Sequence, residues 1–212
     1  MKVLIFGATG ESGRLTTEKA LEAGHDVTVY VRNPAKVTAS HTRLSVRKGE
    51  LADKNAIAEA MAGQEAVISL LGPAGKSEGL VYSSAMQTII DAMRSAGVRR
   101  LIATATPSAA DPNDRFSLPF WLAVRMIKLM AGTAYADLSA LGQVVRASGF
   151  DWTLVRLPWL TSKPADRPAV AGYVGDRPIK LFFLSRDLLA DFLVKQLTDT
   201  RWVGKAPAIS NG

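Results

Sequence analysis

The chain has 212 residues, 48% of them hydrophobic and 21% charged, a composition that builds a globular core. It has no cysteine and two histidines, His25 and His41, each in a predicted connection; this excludes disulfides, thiolate zinc sites and cysteine nucleophiles, and no metal site is expected. The net charge is +7, yet the basic residues are scattered (Arg43/Arg47/Lys48, Arg99/Arg100, Arg201/Lys205), which reads as a surface that attracts anionic cofactors, with no nucleic-acid partner.

A short apolar strand, Met1 to Phe6, comes first and feeds Gly7-Ala8-Thr9-Gly10-Glu11-Ser12-Gly13, after which helix formers begin. Gly7 suits the sharp strand-to-helix turn, Gly10 a backbone that approaches a pyrophosphate, and Gly13 tight packing of helix on strand. Phosphates would then sit on unpaired N–H groups at the positive end of the helix dipole. Lying between a predicted strand and a predicted helix, the motif indicates a dinucleotide site held by Gly7, Thr9, Gly10, Glu11, Ser12 and Gly13.

The second strand, Asp26 to Val31, should end beside the adenosine ribose. Chains that prefer NAD place Asp or Glu there to accept bonds from the 2′-OH. Here the strand runs into Arg32-Asn33-Pro34, with Lys36 one turn on. Arg32 and Lys36 are expected to grip a 2′-phosphate, the guanidinium with two charge-assisted bonds, so the expected cofactor is NADP(H).

Strands and helices then alternate, the pattern of a parallel sheet covered on both faces. Strands are predicted at Leu44 to Arg47, Ala66 to Leu71, Arg100 to Ala105 and Trp152 to Arg156. Helices are predicted at Asp53 to Met61, about Glu78 to Ala96, Ala134 to Ala147 and Leu188 to Leu197. The fold class is α/β, a Rossmann-like doubly wound sheet in a single domain over 1–212. Its nucleotide-binding sheet runs to about residue 155, and a small C-terminal elaboration (156–212) covers the cleft. Ligands in such sheets sit past the carboxyl ends of the strands, which gathers Arg32, Glu50-Leu51, Leu71-Gly72-Pro73, Thr104, Thr106 and Leu157 to Leu160 around one crevice. Thr104 and Thr106 either point hydroxyls at the reaction end or bond to local backbone. The segment Phe116 to Met130, which includes Trp121, is unusually apolar: a wall for a flat substrate, a lid, a dimer face, an interfacial membrane helix or plain core. It falls short of the ~20 residues that span a bilayer, and with no signal peptide the expectation is a cytoplasmic monomer or homodimer.

The chain resembles the atypical short-chain dehydrogenases with a single NAD(P)-binding domain, the group of flavin reductase/biliverdin reductase B and NmrA-like proteins. The resemblance rests on Gly7 to Arg14, Val31-Arg32-Asn33-Pro34-Ala35-Lys36, Lys48-Gly49-Glu50-Leu51-Ala52-Asp53, Val67 to Gly72, Gly97 to Ile102, Ser148 to Arg156 and Ser185 to Phe192. It implies that Glu50 and Leu51 border the adenine, and that Leu71, Gly72 and Pro158 flank the nicotinamide. The departures bear on mechanism. Short-chain dehydrogenases pair Tyr with Lys four residues on, lowering the phenol pKa towards neutrality for proton exchange with a carbonyl. None of the four tyrosines here has that partner; Tyr135 lies nearest the right place, with Ser139 in the lysine position. Where the flavin-reductase relatives carry His, this chain has Trp159, which stacks on a flat ligand but donates no proton.

A complete cofactor site without that acid suits an NADPH-dependent reductase of a flavin or quinone. Such a small-molecule acceptor needs stacking more than a strong acid, since its reduced form takes a proton from water. Thr106 and Tyr135 are the catalytic candidates; Pro73, Trp121 and Trp159 are the substrate-side ones. The alternative is a non-catalytic NADP(H)-sensing regulator of NmrA type.

Overall fold

Four successive residues of β1 (Lys2–Phe6), Val3 to Phe6, are fully buried, a run that only a strand covered on both faces can hide. The computed structural model describes residues 1–72, 81–107, 109–130, 132–180 and 182–212. After β1 come α1 (Glu11–Glu22), β2 (Asp26–Val31), β3 (Leu44–Lys48), α2 (Lys54–Met61), β4 (Ala66–Ser69), α3 (Val81–Ala96) and β5 (Arg100–Ala105). Then follow α4 (Leu118–Met130), α5 (Gly132–Arg146), β6 (Asp151–Arg156), β7 (Trp159–Thr161), β8 (Ala169–Gly172), β9 (Phe183–Ser185), α6 (Arg186–Lys195) and β10 (Ala208–Asn211).

The main sheet has the order β3-β2-β1-β4-β5-β6-β10-β8, parallel except that β8 joins antiparallel to β10. The order reverses between β1 and β4, and at that switch point the neighbouring crossovers leave to opposite faces and open a crevice. Side chains alternate along each strand, which splits the core. Leu4, Phe6, Val67 and Leu101 pack under α2, α3 and α5, while Val3, Ile5, Ile68 and Ile102 pack under α1 and α6.

The Rossmann-like expectation holds, with three differences. The sheet continues past residue 155, because β10 and β8 from the C-terminal third extend it; Leu157, Pro158 and Leu160 at β7 and Arg186 and Leu189 of α6 are what this third gives the crevice lining among the described residues. β4 ends at Ser69, two residues before the expected Leu71, since Leu70 and Leu71 turn into the crevice wall. The apolar segment forms α4, and it is not core: Phe116, Leu118, Trp121, Leu122, Met126 and Leu129 are all exposed, and the helix packs on α5.

Candidate functional site

The glycine loop is shaped by three contacts. Gly7 has φ +82°, a left-handed conformation, and a Cβ there would meet the Leu70 carbonyl oxygen at 2.8 Å. A Cβ on Gly13 would lie 2.1 Å from the Gly7 carbonyl oxygen, so α1 reaches its place on β1 only with glycine there. Gly10 is the N-cap of α1 and makes no side-chain cap; the first helical bond runs from Arg14 N to Gly10 O at 2.8 Å. The N–H groups ahead of that bond have no intrahelical partner, which leaves an anion cradle at the carboxyl end of β1.

Around this cradle opens a cleft of about 850 Å³, within the range of small-molecule sites. Of the residues read from the sequence, Gly7, Thr9, Gly10, Glu11, Ser12, Gly13, Arg32, Glu50, Leu51, Leu71, Gly72, Thr104, Thr106 and Pro158 all line it. Arg32 is exposed and makes no ion pair or hydrogen bond among the described residues, so its guanidinium is free at the end of β2. Among the described residues nothing lies within 4 Å of a Cβ built on Gly72, which lines the cleft. The Thr104 hydroxyl donates to the Ser69 carbonyl at 3.4 Å across the β4–β5 ladder, a long bond that leaves its lone pairs available.

Other expectations fall elsewhere. Lys36 ends a short 3-10 turn, Pro34–Lys36, capped by the Asn33 side chain, and lines a separate small recess with Arg14 and Val37. Tyr135 is outside the cleft lining, its ring 5.8 Å from the Lys128 ammonium. Trp121 and Trp159 are also outside it: Trp121 lies on exposed α4, and Trp159 pairs with Phe183 on the outward side of the β7–β9 ladder, 69% exposed. Leu160, the next residue along β7, faces the cleft instead. Pro73 lies outside the described residues.

The cleft also uses residues that the sequence did not single out. Tyr30 lines it and donates from its phenol to the Glu50 carbonyl at 3.0 Å; burial pushes that phenol above its usual pKa, with Asp53 and Glu50 adding to the effect, so it stays a donor. A Cβ on Gly49 would meet the Tyr30 hydroxyl at 2.0 Å, so this glycine makes room for the ring that props up the Glu50-Leu51 segment. Tyr82, near the start of α3, lines the cleft where Tyr135 was expected to. Its position is fixed by the buried Asp137 of α5, whose carboxylate accepts from Tyr82 N and Ser83 N, both at 2.8 Å, and from Ser83 Oγ at 2.6 Å. No spacing rule points to Tyr82, because its register with the site is set by this cross-helix cap. Arg186, at the start of α6, reaches the far rim of the glycine loop.

A family model described as NAD(P)H-binding matches residues 7–200. The chain belongs to that NAD(P)H-binding family. A UPF0659 protein of Schizosaccharomyces pombe is 32% identical to it over 190 residues, covering 81% of this chain and 75% of the relative. The (4-alkanoyl-5-oxo-2,5-dihydrofuran-3-yl)methyl phosphate reductase of Streptomyces griseus is 27% identical over 218 residues, 98% of this chain and 67% of the relative. Among solved structures, a short-chain dehydrogenase/reductase from Veillonella parvula in complex with NADP superposes with a TM-score of 0.76 at 20% identity, covering 99% of this chain and 94% of that one. The cradle, the Gly72 backbone facing the cleft and the cleft volume fit the dinucleotide of that family.

Proposed function

We propose that this protein is an NADPH-dependent reductase whose acceptor is a flat, conjugated molecule of flavin or quinone type. The observation that carries the reading is the make-up of the cleft's reaction end. Leu71, Leu138, Leu157, Pro158 and Leu160 form apolar walls, the hydroxyls of Thr104 and Thr106 are the small polar groups, and Tyr82 is the one titratable side chain at that end among the described residues.

Each part of the chain then has a task. The backbone N–H groups at the start of α1 and the Thr9 and Ser12 side chains hold the pyrophosphate, Arg32 grips the 2′-phosphate, and Glu50 and Leu51 border the adenine over Tyr30. When bound, the nicotinamide supplies a hydride. The apolar walls exclude water and stack the acceptor, while Thr104 and Thr106 orient polar edges. A conjugated acceptor spreads the incoming charge and takes its proton from solvent as it leaves the cleft, so a Tyr-Lys pair is dispensable. The Streptomyces relative's substrate, a 5-oxo-2,5-dihydrofuran with an alkanoyl group, is itself conjugated, which supports the class.

The test is NADPH consumption by the purified protein against flavins, quinones and simple carbonyls. Saturable turnover with a flavin or quinone, faster with NADPH than NADH, supports the reading. Tight NADPH binding with no turnover across the panel overturns it in favour of a cofactor sensor.

A further inference from the structure

α4 presents a face that the cleft does not use. Leu118, Leu122, Met126 and Leu129 recur at helical spacing along one side, flanked by Trp121 and preceded by Phe116; exposure reaches 75% at Leu129 and 78% at Phe116. Two cations sit on the same helix: the Arg125 guanidinium lies 5.4 Å from the Trp121 ring, and the Lys128 ammonium caps the Tyr135 ring. From Arg115 to Ala136 the sequence contains no Asp or Glu.

From these observations we infer that α4 is an interfacial anchor that lays its apolar face into an anionic lipid surface. The helix is 13 residues, about 20 Å long, too short for the ~30 Å of a hydrocarbon core but suited to lying in the headgroup plane. Leucine and tryptophan side chains would enter the acyl boundary, while Arg125 and Lys128 extend their charges to lipid phosphates. Charge favours a lipid over a second copy of this chain. A two-fold dimer through this face would set Arg115, Arg125 and Lys128 against their own mates, with no carboxylate in the segment to offset them. The inference goes beyond the reductase reading and does not depend on the acceptor.

The test is flotation of the whole protein with vesicles of pure phosphatidylcholine and of an equimolar phosphatidylcholine–phosphatidylglycerol mixture. The protein should float with the mixed vesicles, be released at high salt and stay behind with the neutral ones. The Arg125→Glu/Lys128→Glu variant should lower partition at least about tenfold. Leu122→Ser/Leu129→Ser should lower it comparably, and retained NADPH binding would show that both variants are folded. Absence of flotation on the mixed vesicles, or equal flotation on both, overturns the inference. So does a solution dimer that Leu122→Ser/Leu129→Ser dissociates, which would assign the face to a second copy.

Discussion

Arg186 Nε lies 3.2 Å from Glu11 Oε2, and the Ser162 hydroxyl bonds to both side chains, so the start of α6 is tied to the glycine loop beside the anion cradle. The pair neutralises a carboxylate that would otherwise repel a pyrophosphate. Arg186→Ala should weaken NADPH binding by about fivefold to tenfold, and adding Glu11→Gln to that variant should restore most of the loss. Fluorescence titration of the two single variants and the double variant measures the coupling; additive losses would show that Arg186 acts directly on the phosphate.

In the proposed function Arg32 sets the preference for NADPH over NADH. Arg32→Ala should weaken NADPH binding at least about tenfold, the value of one charge-assisted contact, and leave NADH nearly unchanged. Equal losses for both cofactors would remove Arg32 from the 2′-phosphate site.

Tyr82 is the phenol at the reaction end, yet the proposed acceptor class does not call on it for a proton. Tyr82→Phe should keep kcat with a flavin or quinone within about threefold, whereas loss of a true general acid costs about a hundredfold or more. Steady-state rates of the variant decide between the two.

Arg156, fully buried, and Asp114 form a two-pronged ion pair at 2.5 and 2.6 Å that holds the loop after β5 against the 173–176 turn. Burial pushes the Asp114 carboxyl up, but the bonds from Arg156 and from the Asp111 and Val174 amides outweigh it and hold the carboxyl below its ordinary value. A depressed carboxyl stabilises the fold above the unfolded value of about 3.9, and that contribution is lost as pH falls through the folded value. Melting temperature should therefore drop steeply on the acid side. Asp114→Asn should flatten that limb and cost about 3–5 kcal/mol at neutral pH, the cost of stranding a buried charge.

Gly13→Ala tests the loop itself. A methyl group 2.1 Å from the Gly7 carbonyl forces α1 away from β1. The melting temperature should fall, with an overpacking cost of about 1–3 kcal/mol, and NADPH binding should fall below detection.

What could be read from the chain follows from how locally each feature is specified. β2 and β5 lie where periodicity placed them, because a buried parallel strand must be a short apolar run. The glycine loop and Arg32 were legible because their chemistry is local: a turn, a helix start, a strand end. β7, β8, β9 and β10, of three or four residues each, were missed, since their pairing partners lie far off in sequence and supply most of their definition. Tyr82 was missed for the same reason, its place being set by Asp137 on another helix. Strand alternation along β7 turns Leu160 to the cleft and the Trp159 indole outward, a register that local sequence does not specify.

The position of β10 between β6 and β8 sets the order in which the sheet can be completed. Among the described residues β8 pairs with the main sheet through β10 alone, although it precedes β10 by more than thirty residues of chain. The earlier strand must therefore wait for the later one, and the edge of the sheet should acquire protection from hydrogen exchange last, after a slow closure of non-local contacts.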